Sequence, residues 1–243
     1  MHSWPLISRG FARRATTEII DLPGVDAAEL NGNLYDLRRV NRLFGGAALT
    51  VWGLRWFVQN VHTITSGHVH PLSLLDIGCG LGDIPRSLLD WSATRGFALD
   101  VFATDISPQI IGMAQASGPS ALHYAVADGM RLPLQTQSVD VAACSLTLHH
   151  FAPAEAVELL HDMRRVARCG LIVNDIVRSW PGLAGAWLFG HVFSQNRLTR
   201  HDGLASVQRA YTPAELRALA VQAGLRVAAM RGIAGYRVAM VLV

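Results

Sequence analysis

The stretch LLDIGCGLGDIP, residues 74–85, determines how the rest of the sequence is interpreted. A short apolar run that contains Asp76 leads into three glycines at two-residue spacing, Gly78, Gly80 and Gly82. Glycine in such a place lets the backbone turn tightly and approach a ligand closely. The stretch therefore predicts a buried strand, a ligand-binding loop and a helix that begins near Asp83.

The spacing of the glycines separates two kinds of ligand. A dinucleotide site needs G-x-G-x-x-G and free N–H groups at the start of the helix for the pyrophosphate. Here the spacing is G-x-G-x-G, and the carboxylate of Asp83 would repel a phosphate at the helix start. A loop rich in carboxylates favours a cationic ligand that carries an amine and a sulfonium.

From residue 72 onward, short apolar runs alternate with segments of helical periodicity. This alternation predicts an α/β fold with a parallel sheet and helices on both faces. In such sheets, ligands bind beyond the carboxyl ends of the strands, where the strand order reverses. Candidate functional residues are therefore sought at strand ends.

Two further acids follow the next two predicted strands. Asp105 in VFATDISP can accept hydrogen bonds from both ribose hydroxyls, and it can also cap the helix that opens at Ser107. Asp128 in VADGMRLP can accept from an adenine amino group, although a plain turn role before Gly129 is a serious alternative. Three acids at successive strand ends form a stronger signal than the glycine loop alone.

These motifs resemble those of the class I S-adenosylmethionine-dependent methyltransferases. LLDIGCGLG is similar to their first motif, ATDISP to the second, VADGMRLPL to the third and SVDVAACSLTLHHF to the fourth, within residues 72–175. The resemblance implies a Rossmann-like seven-stranded, mostly parallel sheet with helices on both faces. It also implies an N-terminal helical segment and a helical cap inserted after strand 5.

The corresponding domain organisation is an N-terminal arm with helices over residues 1–71, as part of the cap, and a cofactor-binding methyltransferase domain over 72–243. The cap insert spans about 178–211. This insert is unusually apolar. It is either a helix packed into the core of the cap, a lid over a lipophilic aromatic substrate, or a surface that touches a membrane.

A looser resemblance covers the whole chain. The segments NLYDLRRVNRLFGG, VNDIVRS and NRLTRHDG resemble small bacterial methyltransferases that accompany type III polyketide synthases and modify phenolic lipids or quinones. This resemblance implies O-methylation of a small, lipophilic phenol in secondary metabolism. The alternatives are a methyltransferase for RNA or protein and a cofactor-binding partner subunit without catalysis.

The resemblance also implies the residues that bind S-adenosylmethionine. Cys79 has the alternative role of a small packed residue. Arg39 and its neighbours have the alternative role of a solvated helix face, while in the functional interpretation one of them binds the cofactor carboxylate. The predicted cofactor-binding residues are Asp76, Gly78, Cys79, Gly80, Gly82, Asp105, Ile106, Ala127, Asp128, Gly129, Ser145, His150 and Arg39.

A phenolic acceptor must lose a proton, and a histidine near a strand end is a candidate base. His149 follows the fourth strand and His201 lies in the cap insert, and we give them equal standing. Asp175, at the end of the fifth strand, is the candidate if neither histidine serves. A base near its ordinary pKa of ~6.5 would make the rate rise with pH through that region.

Composition and motifs exclude several other classes. All 21 basic residues are arginines, so no lysine can act as base or nucleophile. The net charge of +3 is mild and the arginines are scattered, whereas a nucleic-acid-binding protein more often has a basic stripe, so no nucleic-acid partner is predicted. Ser145 and Leu146 stand where a catechol-type metal site would need an acid, so no metal is predicted. Three widely spaced cysteines, no signal peptide and no run of about 18 apolar residues favour the cytoplasm.

Overall fold

The computed structural model describes residues 11–60 and 71–243. Residues 1–10, at the start of the predicted N-terminal arm, and residues 61–70 lie outside the described residues. The described part contains eight α-helices: α1 (Ala27–Leu43), α2 (Gly46–Asn60), α3 (Asp83–Arg95), α4 (Pro108–Ser117), α5 (Pro153–Val166), α6 (Trp180–Leu188), α7 (Arg197–Arg209) and α8 (Pro213–Gln222).

Seven strands form one sheet: β1 (Leu72–Ile77), β2 (Leu99–Asp105), β3 (Leu122–Val126), β4 (Val139–Ser145), β5 (Ala167–Ile176), β6 (Val227–Ile233) and β7 (Arg237–Leu242). Their spatial order is β3-β2-β1-β4-β5-β7-β6. Strand β7 runs antiparallel to both β5 and β6, and the other pairings are parallel. The predicted fold class is confirmed. The order reverses between β1 and β4, which marks the crevice where a ligand is expected.

Local sequence signals explain where several helices begin. The Asp26 side chain accepts hydrogen bonds from the backbone N–H groups of Ala28 and Glu29, so α1 starts at Ala27. Ser107 caps α4, and Pro108 occupies its first turn. Helix α8 has a complete capping box, in which Thr212 and Glu215 satisfy each other's backbone N–H groups.

Apolar layers cover both faces of the sheet. On one face α5 and α8 pack against the strands through buried side chains such as Leu159, Met163 and Leu216. On the other face α2 and α3 contribute Leu54, Phe57 and Leu88. Helix α2 is therefore part of the layer that covers the sheet. The division of the chain at residue 71 stays a prediction.

The cap insert has more structure than a single helix. Helix α6 runs into a π-helical turn at Phe189–Phe193, and α7 follows and packs against α6 and α1. Several apolar side chains of this region are exposed, among them Trp180, Trp187, Val192 and Phe193. Among the described residues, no helix combines the length and the apolar character needed to cross a membrane.

Candidate functional site

The glycine loop after β1 takes the conformation that its sequence predicts. Gly78, Gly80 and Gly82 have φ values of +71°, +52° and +71°, in the left-handed region that side chains disfavour. A Cβ at Gly78 would collide with the Thr147 side chain, and one at Gly82 would collide with Tyr124. The loop therefore brings bare backbone to the crevice between β1 and β4.

The other side of the crevice is also held in an unusual conformation. Leu146, directly after β4, has φ +56°, and its backbone N–H donates to the Asn174 carbonyl at 2.9 Å. The Thr147 hydroxyl donates to the carbonyls of Ile77 and Ser145. A left-handed backbone conformation is strained in any residue other than glycine, and it persists only where the surrounding contacts hold it in place. Such strained residues are concentrated at functional sites.

Asp105 is fixed at the end of β2 by two backbone donors. Its Oδ2 accepts from the N–H of Gly80 at 3.2 Å, and its Oδ1 accepts from the N–H of Ser107 at 3.0 Å. Each carboxylate oxygen retains a further lone pair. Because Asp105 also lines the main cavity, it can cap its loop and bind a ligand at once.

Three acids create a negative region below the loop. Burial and the nearby Asp83 and Asp105 raise the pKa of Asp76 well above its ordinary value. Its Oδ1 is buried with no hydrogen-bond partner, and the Asp83 carboxylate accepts from Asn41 at 3.1 Å. An orphaned carboxylate oxygen among other acids fits the ammonium and sulfonium groups of S-adenosylmethionine.

A cavity of about 890 Å³ begins at this loop and extends under the cap. The lining near the loop consists of polar and glycine residues, whereas the far end is formed by apolar side chains of α1, α6 and the π-helical turn, including Leu37, Pro181, Ala186 and Phe189. Pockets of this size hold drug-sized ligands. The cavity therefore has one end suited to a polar cofactor and one suited to an apolar partner.

The predicted cofactor-binding residues fall into three groups. Those that line the main cavity are Gly78, Gly80, Asp105, Ile106, Ala127, Asp128, Gly129 and His150. Asp76, Cys79 and Ser145 line a small adjoining cavity of about 70 Å³, together with both of the first two glycines. Gly82 lies behind the loop as the residue before α3.

Two of these residues also make the contacts of their structural alternatives. Asp128 Oδ1 accepts from the Met130 N–H at 2.9 Å, as a turn residue would. Cys79 is buried, and burial raises the pKa of its thiol, so it is no nucleophile. The adenine contact of Asp128 and the cofactor contact of Cys79 stay predictions.

Arg39 does not line either cavity. Its Nη1 donates to Asp36 Oδ1 at 3.0 Å and to the Phe193 carbonyl at 3.2 Å, so the guanidinium holds α1 to the cap. Two arginines do line the main cavity, Arg209 on α7 and Arg237 at the start of β7. Arg237 lies deeper in the fold. It is fully buried and donates to Asn174 Oδ1 at 3.0 Å and Asn41 Oδ1 at 2.8 Å. Nothing in the local sequence around Arg237 marks it as a site residue.

His149 lies in the cavity wall and Asp175 lies behind it. The imidazole Nδ1 is 2.7 Å from Asp175 Oδ1, and the His149 backbone N–H donates to Asp175 Oδ2 at 3.0 Å. The other ring nitrogen, Nε2, is 3.5 Å from Oε1 of Glu18. Sequence analysis missed Glu18, because the segment around it carries no motif and the contact spans 131 positions.

The pKa of His149 differs from the value expected for a general base. Burial disfavours the imidazolium, but Asp175 and Glu18 outweigh burial and raise the pKa of His149 to about 10. This direction differs from the pKa of ~6.5 expected for a base, and the role of His149 in proton transfer stays a prediction.

His201 does not reach the cavity. It lies on α7 with about half of its side chain exposed, and its Nδ1 is 2.8 Å from the Asp202 carboxylate. Asp202 itself accepts from the backbone N–H groups of Ile19 and Ile20. The strand-end argument grouped His201 with His149, but the direction of α7 turns its ring toward solvent. We correct the prediction of His201 as a base on this ground.

Comparison with known proteins supports the assignment of the central segment. Residues 75–173 match a family described as "Methyltransferase domain". A curated relative from Pseudescherichia vulneris, "Malonyl-[acyl-carrier protein] O-methyltransferase", is 32% identical over 122 residues, which cover 50% of this chain and 46% of the relative. The chain thus spans about half the length of the curated relative it matches.

Solved structures share the fold across most of the chain. An S-adenosylmethionine-dependent methyltransferase from Aquifex aeolicus aligns with a TM-score of 0.60 at 18% identity, covering 89% of this chain and 97% of that one. Human N-acetylserotonin methyltransferase in complex with S-adenosylmethionine aligns with a TM-score of 0.64 at 18% identity, covering 89% and 56%. Residues 75–173 are a methyltransferase domain, and its cofactor class is S-adenosylmethionine.

Proposed function

We propose that the chain transfers a methyl group from S-adenosylmethionine to the oxygen of a small, apolar, aromatic acceptor such as a phenol. The observation that carries the proposal is the continuous cavity of about 890 Å³, which joins the glycine loop to an apolar region under the cap. A cofactor at the polar end leaves room for an acceptor at the apolar end. The looser sequence resemblance to phenol-modifying enzymes supports the same class of acceptor.

At the polar end, the described residues fit the parts of the cofactor. In this proposal Asp105, which the Gly80 N–H holds at the cavity, accepts from the ribose hydroxyls. Asp76, whose buried Oδ1 has no hydrogen-bond partner, offsets the positive charge of the amine. Bound S-adenosylmethionine supplies an activated methyl group. The protein's task is then to align the two reactants and to exclude water.

At the acceptor end, the protein offers a polar group among apolar neighbours. Glu18 lines the cavity, and its buried Oε1 has no hydrogen-bond partner. It is placed to accept a hydrogen bond from the acceptor's hydroxyl and to hold that group for in-line transfer. His150, whose ring is partly exposed and also lines the cavity, offers a path by which the proton leaves to solvent.

A carboxylate acceptor is the second candidate. Two arginines, Arg209 and Arg237, line the cavity, and guanidinium groups bind carboxylates well. The curated relative is a malonyl-[acyl-carrier protein] O-methyltransferase by name. A carboxylate needs no base, so this reaction would be insensitive to the groups that take up a proton.

The test is transfer of labelled methyl from the cofactor to a panel of alkyl-substituted phenols and of free or carrier-linked dicarboxylates. The proposal expects turnover on the phenols, rising with the length of an apolar substituent. Turnover confined to the carboxylates would establish the second candidate. Absence of transfer to both sets, with S-adenosylhomocysteine bound normally, would refute both.

A further inference from the structure

Three side chains at the cavity wall point their ligand atoms at one another. Glu18, His149 and His150, called here the histidine–glutamate cluster, each offer one nitrogen or oxygen, and these atoms lie within 4.8 Å of one another. His149 Nε2 is 3.5 Å from Glu18 Oε1, and His150 Nε2 is 3.7 Å from Glu18 Oε2. Two ligand atoms that each lie about 2.1 Å from a tetrahedral zinc ion are about 3.4 Å from each other. The two distances between histidine nitrogen and glutamate oxygen are close to that value.

Both histidines are oriented from behind by a carboxylate. His149 Nδ1 is 2.7 Å from Asp175 Oδ1, and His150 Nδ1 is 3.1 Å from Asp21 Oδ2. Each contact leaves Nε2 of the ring facing Glu18. Metal-binding histidines almost always donate their second ring N–H to such a carboxylate, which fixes the tautomer and raises the basicity of the ligand nitrogen.

The atoms that face the centre lack other hydrogen-bond partners. His149 Nε2 and Glu18 Oε1 are both buried without one, and both residues are more than nine-tenths buried. Buried polar atoms in proteins are nearly always satisfied, so each exception calls for an explanation. A bound cation would satisfy both atoms at once.

The charge of the surroundings favours a cation. The charged side chains in contact with the cluster are Asp21, Asp175, Arg13, whose Nη2 donates to the His149 carbonyl at 3.2 Å, and Arg209, whose Nη1 lies 3.6 Å from Glu18 Oε1. With Glu18 itself, three carboxylates outnumber the two guanidinium groups. A cation between the three ligand atoms therefore enters a region in which negative charge predominates.

We propose that the histidine–glutamate cluster binds one divalent transition-metal ion of the Zn²⁺ type. Two histidines and one carboxylate are a common ligand set for this ion in catalytic sites, where a further position stays open. All three residues of the cluster line the main cavity, so a bound ion would be accessible from it. Metal binding itself does not depend on the proposed function; a role in activating the acceptor oxygen does.

The sequence predicted no metal, and the reason for the difference is topological. That prediction considered acids at the end of β4, where Ser145 and Leu146 stand. The carboxylate of the cluster comes instead from Glu18, which precedes the first helix and reaches the two histidines after β4. No pattern in the sequence connects these two segments.

The test is calorimetric titration of chelator-treated protein with Zn²⁺, paired with the absorption spectrum of added Co²⁺. Because the sequence has histidines at 62, 68 and 70, the measurements are made in a His68→Ala/His70→Ala background. We expect one ion per chain and a cobalt spectrum typical of four- or five-coordination. Glu18→Gln and His150→Ala should each weaken binding by at least 10-fold, about the loss caused by removing even an outer partner.

Two further variants show where the ion binds. Asp21→Asn removes only the carboxylate that orients the His150 ring, and it should weaken Zn²⁺ binding by about 10–100-fold. His191→Ala is the matched control, since His191 is exposed on the π-helical turn, stacks on Trp187 and does not belong to the cluster. Thermal unfolding followed by circular dichroism shows independently that every variant is folded.

The results separate this proposal from the proposed function. No binding of Zn²⁺ at one ion per chain, or equal affinity in wild type, Glu18→Gln and His150→Ala, overturns the metal site. Methyl transfer to phenols that continues in the chelator-treated protein would leave the proposed function standing while removing the metal from it.

Discussion

Single residues at the cavity carry out two tasks at once. The Asp105 carboxylate uses both oxygens to hold the backbone of its own neighbourhood and still lines the ligand site. His149 is similarly held by Asp175 while it lines the wall of the cavity. Substitutions at such residues therefore need a control on the same element.

Replacing Asp105 with Asn should weaken binding of S-adenosylhomocysteine by about 1.5–3 kcal/mol, the scale of hydrogen bonds to a charged group. The amide keeps an acceptor for the Ser107 N–H but cannot accept through its nitrogen. Isothermal calorimetry gives the affinity. Asp100→Asn, at the other end of β2, is the control and should bind normally. Equal affinities in the two variants would remove Asp105 from the site.

His150 and His201 should differ in their effect on turnover. His150→Ala should lower kcat on a weakly acidic phenol by about 10²–10⁴, the usual range for proton transfer by a positioned group. His201→Ala should leave it nearly unchanged, because that ring is half exposed and lies outside the cavity. Steady-state rates on phenols of graded acidity test this. A loss for His201→Ala alone would restore His201 as the candidate base.

At the scale of elements, helix α2 packs closely where it crosses the sheet. A Cβ at Gly53 would come within 2.8 Å of the Ile172 side chain on β5. Gly53→Ala should therefore destabilise the fold by about 1–3 kcal/mol, the cost of overpacking a core. Gly112→Ala on α4, with no atom within 4 Å of the new Cβ, should instead stabilise by about 0.5–1 kcal/mol. Urea unfolding measures both; equal effects would contradict the packing argument.

The cap is the element in which motion is expected. Residues 179–200 include α6 and the π-helical turn, and their apolar side chains are widely exposed. A cap must open to admit a bulky acceptor, so its amides should exchange faster than those of β4 and β5 in the free protein. Hydrogen exchange with S-adenosylhomocysteine and a phenol bound should show slower exchange there. Exchange as slow as in the central strands without any ligand would favour a rigid core helix.

The elements were largely predictable from the sequence, whereas the contacts between distant segments were not. Strands, glycine loop and helix caps depend on neighbours within a few residues, so periodicity and capping residues reveal them. The Glu18 contacts and the buried Arg237 depend on segments more than 100 positions apart. The prediction of His201 as a base was wrong for a related reason, because the position of a residue after a strand does not give the direction of a helix in an insert.

For the molecule as a whole, the cofactor should contribute strongly to stability. In the free protein Asp76, Asp83 and Asp105 repel one another, and burial and Coulomb repulsion raise the pKa of Asp76. A ligand that brings an ammonium group to these acids relieves this repulsion. S-adenosylhomocysteine at 100 times its Kd should stabilise the fold by about 2.7 kcal/mol, whereas NADH should not. Thermal unfolding with each ligand tests this, and a rise in Tm with NADH equal to that with S-adenosylhomocysteine would reverse the assignment of the cofactor.

The position of β7 inside the sheet has a consequence for biosynthesis. Of the seven strands it is the last to be synthesised, yet it lies between β5 and β6 and is buried throughout. Until it leaves the ribosome, β5 has an open edge, β6 has no partner in the sheet, and Arg237 cannot join Asn41 to Asn174. At about 5–20 residues per second, about 3–13 s pass between the synthesis of the end of β5 and that of the end of β7, with this edge open. The ligand site is therefore completed only after translation of the last strand.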